Sequence, residues 1–393
     1  MKRQKSLLIL TGIIILSFTA DAQFWLSTQR LTWDNMDSES PVISLGSGND
    51  VHIAWCSQFT SQWDIYYKKS TDNGNTWSAP NRLTWSSRFF ENPDMCVDVL
   101  NRVFIAFADT SSGDSDVFYK KSEDGGATWQ PLKRLTWTTG QTQKVSVASD
   151  SPGNTYMVYN DDTFGNYEVF LRKSTSGGAH WLPPQRLTWT AGDSKFPVLE
   201  ISSATTLHVA WCESSTGHLN VFYKSSIDGG ISWSPPRRLT WNALEAADPN
   251  ITIDSNGHIY IVWYDWSSTN IDIFLKKSTD GGSTWSALQR VTWNSGYSCR
   301  PVIGTSPPAA IHLAWYDNTP GNYEIFYKKS TNGGAAWVIN SRVTWSTENS
   351  FYPNMAVVTS NNQVHLTWQE ILSPDSEIFY KKSQMIIIGE NEK

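Results

Sequence analysis

A repeat of 52 residues runs along almost the whole chain, and this fixed period constrains the fold more than any other feature. The tetrapeptide Arg-[Leu/Val]-Thr-Trp begins at seven evenly spaced positions, which are Arg30, Arg82, Arg134, Arg186, Arg238, Arg290 and Arg342. A turn rich in Gly and Ser has the same spacing and begins at Ser70, Ser122, Ser174, Ser226, Ser278 and Ser330. A fixed period of this length is typical of propellers and other repeat architectures.

Each repeat contains four short apolar runs, which we interpret as β-strands. The first run follows a proline such as Pro41, and the second alternates toward an aromatic residue, as in the stretch 51–55. The third run is represented by the stretch 271–275, and the fourth ends at Arg-[Leu/Val]-Thr-Trp. No stretch of residues has a helical period. Four strands in a repeat of this length predict one blade of a β-propeller.

The two ends of the repeat array complement each other. Seven copies of the first three strands are present, but the last copy reaches Ser383 without a turn and fourth strand of its own. Trp25 and Trp33 have the spacing of Trp77 and Trp85, so the stretch 24–33 is an unpaired fourth strand. We therefore predict an all-β, seven-bladed propeller that the N-terminal strand closes by completing the last blade. Residues 23–393 would form a single domain.

Residues 1–22 have the pattern of a secretory signal peptide. Lys2, Arg3 and Lys5 precede a short apolar stretch at 7–20, and small residues end at Ala22. An uncleaved anchor is the alternative, although the apolar stretch is short for a membrane span. Without residues 1–22 the chain has 28 basic and 36 acidic residues, a net charge of −8, which argues against nucleic-acid binding. We expect a secreted, periplasmic or cell-surface protein with no transmembrane segment after signal removal.

The repeated turn carries the pattern Ser-x-Asp-x-Gly-x-[Ser/Thr]-Trp, written in full at 70–77. Its aspartates are Asp72, Asp124, Asp228 and Asp280, while Ser176 and Asn332 replace the aspartate in two copies. The chain from residue 23 onward thus resembles the BNR (Asp-box) repeat proteins of the sialidase-like, or neuraminidase, β-propeller superfamily. The resemblance implies a propeller in which these aspartates have a structural role. A sialidase would also use three arginines, one of them in an Arg-[Ile/Leu]-Pro motif, and this sequence has no such motif.

Two other repeated sets of polar residues are interpreted as structural. His52, His208, His312 and His365 share one position of the second strand, which indicates packing rather than catalysis. Acidic residues open the third strand in six of seven repeats, opposite the repeated arginines. We predict cross-strand ion pairs such as Asp116 with Arg134, Asp272 with Arg290 and Glu377 with Arg30.

Candidate binding residues lie on the face opposite the Asp-box turns, where the loops between the second and third strands meet the inter-blade loops. The candidate arginines are Arg88 and Arg300. The candidate loop aromatics are Trp63, Phe89, Phe90, Phe164, Trp266 and Tyr297. A further acidic series follows the second strand at Asp109, Asp161, Asp265 and Asp317. These aspartates either cap the loops or form a negative rim for a ligand.

The sequence favours a non-catalytic recognition module whose partner is a glycan or an extracellular protein. The alternative is an exo-sialidase-like glycoside hydrolase, and a third interpretation is a structural scaffold within a cell-surface assembly. We assign no catalytic residue, metal site or cofactor. The aromatic and polar candidates suit either sugar rings or a protein interface.

Overall fold

The computed structural model describes residues 23–385, except 34, 49, 60–61, 86–89, 110–114, 152, 242–243 and 267–269. The described part is all-β, and no helix in it is long and apolar enough to span a membrane. The expected signal peptide at 1–22 lies outside the described residues.

Twenty-nine strands form seven antiparallel sheets. The N-terminal strands are β1 (Gln23–Trp25) and β2 (Gln29–Arg30). The first three blades are β3 (Ser38–Leu45), β4 (Val51–Phe59), β5 (Gln62–Ser70) and β6 (Asn81–Arg82); β7 (Phe90–Val97), β8 (Val103–Asp109), β9 (Val117–Ser122) and β10 (Lys133–Arg134); and β11 (Thr142–Ser149), β12 (Thr155–Asp161), β13 (Glu168–Ser174) and β14 (Gln185–Arg186). The next two are β15 (Ser194–Ser203), β16 (Thr206–Glu213), β17 (Asn220–Ser226) and β18 (Arg237–Arg238); and β19 (Ala246–Ile253), β20 (Ile259–Asp265), β21 (Asp272–Ser278) and β22 (Gln289–Arg290). The last two are β23 (Ser298–Ser306), β24 (Ala310–Asp317), β25 (Glu324–Ser330) and β26 (Ser341–Arg342); and β27 (Ser350–Val358), β28 (Gln363–Leu372) and β29 (Asp375–Met385).

The N-terminal strands complete the seventh blade, which confirms the predicted closure. Both β1 and β2 pair antiparallel with β29, with Trp25 opposite Ser383 and Arg30 opposite Phe379. Leu31 continues the pairing, because its N–H donates to the carbonyl of Ile378 at 2.8 Å. The ring therefore has no open blade edge at this junction.

The first strand of every blade lies innermost, and these strands contact one another around a central channel. The second and third strands are buried on both sides because each blade packs against two neighbours. Buried indoles at the end of the second strand fill the space between sheets, at Trp55, Trp211, Trp263, Trp315 and Trp368. All four cysteines are free thiols.

The Asp-box turns connect neighbouring blades on one face of the ring. Asp72 accepts hydrogen bonds from the Ser70 hydroxyl (2.7 Å) and the Thr76 backbone N–H (2.8 Å). Trp77 packs edge-on against Tyr380 of the preceding blade, with ring centres 4.9 Å apart. Gly74 has a φ of 76° and lies so close to Tyr380 that a Cβ would be 2.0 Å from its hydroxyl oxygen. The turn thus needs glycine both for backbone conformation and for blade contact.

The predicted ion pairs are confirmed. Arg290 bonds Asp272 at 2.6 Å, Arg30 bonds Glu377 at 2.5 Å across the closure, and Arg134 pairs with Asp116. The repeated threonine donates to the second carboxylate oxygen, as Thr292 does to Asp272 at 3.0 Å. Each acid is buried while its arginine remains partly exposed.

The four repeated histidines are buried on the second strand, as a packing role requires. In every case Nδ1 lies 2.7 Å from a tyrosine hydroxyl of the third strand. Burial lowers the pKa of His52, His208 and His365 to about 4 and that of His312 to about 3. These side chains are therefore neutral hydrogen-bonding partners inside the blades.

Candidate functional site at the mouth of the central channel

A β-bulge interrupts the first strand of every blade at the same place. In the first blade the register shifts between Glu39 and Val42, and equivalent shifts occur in the other six blades. Ser38, at the start of β3 and close to the bulge, pairs with Ser57 near the end of β4. The bulges therefore lie at the same end of the blades as the loops between the second and third strands. They therefore lie on the face that we expected to bind a ligand, opposite the Asp-boxes.

The bulges place one side chain from each blade around the channel mouth. These seven mouth residues are Ser40, Asn92, Lys144, Phe196, Asp248, Arg300 and Tyr352. They occur every 52 residues, yet no two are the same amino acid, whereas the position that follows is proline in six of the seven blades. The repeat thus diverges at the one position where seven side chains converge on a single space.

Six of the seven mouth residues have a left-handed backbone conformation. Their φ values lie between 47° and 54°, including 54° at Phe196 and 50° at Tyr352. This conformation is costly for bulky residues, and it persists only where the surrounding structure enforces it. In the third blade Val145 replaces the following proline, and Lys144 has no positive φ. Bulges and strained backbone of this kind are concentrated at functional sites.

Charge and aromatic surface adjoin each other at the mouth. Arg300 Nε lies 3.2 Å from Asp248 Oδ2, and the Arg300 side chain keeps 42% of its surface exposed. The guanidinium carbon also lies 4.5 Å from the Tyr352 ring centre. Beyond Tyr352, Tyr316 and Phe351 continue an aromatic cluster, with ring centres 5.3 Å apart. A guanidinium positioned by one carboxylate and one ring retains N–H donors for a ligand.

A groove of about 430 Å³ adjoins the mouth, and Asp248 and Arg300 line it too. Lys144, Phe196 and Tyr167 line it together with polar side chains of the third blade. Lys195 lies near its aromatic wall, with Nζ 4.4 Å from the Tyr167 ring centre. The mouth and groove together offer aromatic faces, amide groups and cations, which are the groups that bind hydroxyl-rich ligands.

Two carboxyl groups line the channel below the mouth, in a cavity of about 380 Å³. Burial raises the pKa of Glu200 to about 8, and the nearby charge of Asp94 contributes to this shift. Burial also raises the pKa of Asp94, although Lys144 opposes this effect. Asp94 accepts a hydrogen bond at 2.8 Å from the backbone N–H of Val147 in the next blade. Glu200 can therefore carry a proton at neutral pH.

Of the predicted binding residues, Arg300 lies at the mouth. Tyr297 is 42% exposed in the preceding loop, and Trp266 is 48% exposed on an inter-strand loop. Trp63 is partly buried against the core of the first two blades. Arg88 and Phe89 lie outside the described residues. The expectation that Phe90 is exposed was wrong: it is fully buried and packs edge-on against Phe107 at 4.9 Å.

The predicted aspartate series is buried rather than arranged around the mouth. Asp109, Asp161, Asp265 and Asp317 are each at most 1% exposed. Asp317 Oδ2 accepts hydrogen bonds from Asn294 (2.5 Å) and Ser298 (2.6 Å), and Asp161 Oδ2 accepts one from Thr138 (2.8 Å). These contacts match the loop-capping alternative. We accordingly give these aspartates no ligand contact in the proposals below.

Six mouth residues were missed in the sequence, and only Arg300 was selected. The bulge that directs these residues toward the axis is not visible in the sequence pattern. A signal was nevertheless available in the sequence. The residue before the repeated proline position differs in all seven repeats. Aligning the seven repeats and reading the divergent position identifies the ring.

This fold defines the molecule as a seven-bladed, sialidase-like β-propeller. Residues 11–261, more than half of the sequence, match the BNR repeat-like domain, and the chain belongs to that family. A sialidase of Bacteroides fragilis (strain YCH46) is 25% identical over 197 residues, which cover 44% of this chain and 34% of that protein. The chain therefore spans about a third of the length of this relative.

Solved structures share the architecture at low sequence identity. An ulvan lyase bound to -[GlcA(1-4)Rha3S]- has a TM-score of 0.62 and 12% identity, covering 87% of this chain and 93% of its own. The intramolecular trans-sialidase from Ruminococcus gnavus, in complex with oseltamivir carboxylate, has a TM-score of 0.51 and 14% identity with the same coverages. At these identities the similarity shows the fold alone.

Proposed function

We propose that this protein is a secreted, non-catalytic recognition module that binds a glycan at the mouth of its central channel. The observation that carries the proposal is the ring of seven different side chains, which converge on one open space at the centre of seven similar blades. A packing position would repeat, as the buried histidines do. A position that varies in every blade and faces an open cavity is instead suited to a ligand without seven-fold symmetry.

The chemistry of the ring favours a sugar that carries an acidic group. Tyr352 and Phe196 provide faces on which a pyranose ring can stack, and Asn92 provides an amide for hydroxyl groups. Arg300 and Lys144 are cations, and Asp248 is the only acid among the seven mouth residues. A carboxylate or sulfate on the sugar would therefore find two cations across the mouth. The glycan-acting proteins of similar fold support this ligand class.

A glycoside hydrolase remains the second candidate because of one observation. Glu200 has a raised pKa of about 8 and lies below the mouth, where a protonated carboxyl could donate to a leaving oxygen. Recognition is preferred because Glu200 lies in the deeper cavity, whereas the exposed cations and aromatics lie at the mouth. The two functions differ in whether a bound sugar is cleaved.

A glycan array that includes uronic-acid, sulfated and sialylated sugars tests the proposal with residues 23–393. Retained protein and loss of terminal sugars are read on the same spots. Arg300→Ala and Tyr352→Ala should each weaken retention at least tenfold, while the exposed control His180→Ala on the Asp-box face should not. Cleavage that Glu200→Gln abolishes would replace recognition by the hydrolase. An array with no retained protein would redirect the search to a protein partner.

A further inference from the structure

Seven tryptophans form a second repeated feature on the outside of the ring. They are the last residues of the Arg-[Leu/Val]-Thr-Trp motifs, namely Trp33, Trp85, Trp137, Trp189, Trp241, Trp293 and Trp345. Each is between 66% and 70% exposed, although the threonine before it is buried. Tryptophan is usually highly buried, so seven indoles exposed at one repeated position call for an explanation.

Every exposed indole lies beside a cation, and Trp241, Trp293 and Trp345 each lie beside cations from two blades. Arg238, three residues before Trp241, has its guanidinium carbon 5.9 Å from that ring centre. Lys276, on the third strand of the next blade, has Nζ 5.2 Å from the same centre. Corresponding contacts occur around the ring, for example 5.8 Å for Arg342 and 5.6 Å for Lys381 about Trp345. Such distances are those of cation–π contacts.

The cations have other partners, so the indoles are not needed to hold them. The repeated arginine is paired with a buried acid in six blades, as Arg290 is with Asp272. In four blades the repeated lysine donates to a backbone carbonyl of the preceding blade, as Lys328 does to Val291 at 2.9 Å. The indole is therefore not required to position these cations. About two thirds of its surface is in solvent, so one face of the ring is open to a ligand.

A cavity beside one of these indoles shows the form of the site. It has a volume of about 460 Å³ and lies between Trp241 and Trp285, with Arg237 and Lys276 on its edges. The volume is within the range of small-molecule sites. An aromatic floor with cationic and hydroxyl groups on its edges is complementary to a pyranose ring, whose C–H groups stack while its hydroxyls bond at the edge.

We propose that the seven exposed tryptophans are equivalent stacking sites for the sugar rings of a polysaccharide, which binds along the outer rim at several sites together. The occupant is a polysaccharide rather than a membrane because the seven indoles lie on separate blades and each lies beside a charged group. A continuous apolar surface, as membrane or protein docking requires, is not formed by these rings. The inference is independent of the channel mouth and concerns different residues.

Multivalency gives the proposal a quantitative signature. Several weak sites on one ring raise the apparent affinity for a long chain by roughly 10²–10⁴ over a single site, without any new contact. A polysaccharide long enough to reach neighbouring blades should thus bind far more tightly than a tetrasaccharide of the same sugar. Removing one tryptophan should have a small effect, and removing three alternate ones a large effect.

The experiment uses residues 23–393 in affinity electrophoresis through gels containing xylan, mannan, chondroitin sulfate or hyaluronan, with the matching tetrasaccharides as competitors. The variants are Trp137→Ala and the triple variant Trp85→Ala/Trp189→Ala/Trp293→Ala. Ile231→Ala and Ile339→Ala serve as controls, because these side chains are 77% and 91% exposed. Acrylamide quenching of tryptophan fluorescence provides a second readout, since a ligand on the rim should shield the exposed indoles.

At least one polysaccharide should retard the wild type, and the triple variant should lose at least tenfold in affinity for it. Trp137→Ala should lose less, and the isoleucine controls should match the wild type. The proposal is overturned if the triple variant binds as the wild type does, or if no polysaccharide retards the protein or shields its indoles. Binding to phosphatidylcholine–phosphatidylserine vesicles that depends on these indoles, without polysaccharide binding, would also overturn it. A structural role would instead appear as a loss of thermal stability in Trp137→Ala that Trp137→Phe restores.

Discussion

Replacing His208 by glutamine should make the stability of the propeller less sensitive to acid. His208 is 2% exposed, and its ring nitrogens lie 2.7 Å from the Tyr223 hydroxyl and 2.9 Å from the Ser202 hydroxyl. Burial lowers its pKa from the ordinary 6.5 to about 4. Between these values the unfolded chain binds a proton that the folded protein does not. Stability is therefore complete above pH 6.5 and is lost as the pH falls toward 4.

The size of the effect follows from the two pKa values. With 6.5 in the unfolded state and about 4 in the folded state, protonation of His208 costs about 1.8 kcal/mol of unfolding free energy between pH 7 and pH 5. Four such histidines would together cost roughly 7 kcal/mol, a large share of the stability of an ordinary domain. The contribution of Glu200 to stability depends on pH in the opposite direction, because its pKa is raised in the folded protein. The difference between variant and wild type isolates the contribution of His208.

Urea denaturation at pH 7 and pH 5, followed by tryptophan fluorescence, measures both free energies. The wild type should lose about 1.8 kcal/mol more than His208→Gln between the two pH values, whatever the stability of the variant at pH 7. The control variant His180→Gln, which changes an exposed histidine, should show the same pH dependence of the unfolding free energy as the wild type. Parallel pH dependences for the wild type and His208→Gln would refute a buried, neutral histidine at this position.

Two further predictions concern the channel and the closure. Glu200→Gln should stabilise the protein at pH 9 by on the order of 1–3 kcal/mol and have little effect at pH 4. The folded protein raises the pKa of Glu200 to about 8, above the value in the unfolded chain. The ionised form of Glu200 therefore destabilises the fold at high pH, and the protonated form at low pH does not. Urea titrations at both values check this, and an equal effect at both would count against a buried acid. Leu31→Ala in the closing strand and Leu135→Ala at the equivalent place in the second blade should each cost about 2–5 kcal/mol in urea titrations, since both side chains are 2% exposed. A much smaller loss for Leu31→Ala would mean that the N-terminal strand contributes little to the ring.

Much of the fold was predictable because repetition reveals it directly. The number of blades follows from counting motifs, and the spacing of Trp25 and Trp33 identified the closing strand. The partner of Arg30 was predicted across the closure because a cross-strand pair seen in one blade must recur in the others. Periodicity thus supplied long-range contacts that a single strand pattern cannot give.

The site was less predictable because repetition misleads there in two ways. The mouth depends on a bulge, which changes the direction of Phe196 or Tyr352 without any distinctive residue type. The exposed tryptophans were used only to count repeats and to mark the end of the fourth strand, because the sequence pattern does not show that this end is open to solvent. Phe90 shows the reverse error, since a residue expected in a loop begins the strand β7 and enters the core.

The pairing of β2 with β29 also bears on how the chain reaches its final shape. Thr32 and Glu377, which bond across the closure, are 345 residues apart in the sequence. Contacts over such separations form late, because a long loop must be closed before they contribute stability. During synthesis, the first strand therefore stays without its partner until the final blade has appeared. The ring therefore gains its full stability only after the last of the seven blades has been synthesised.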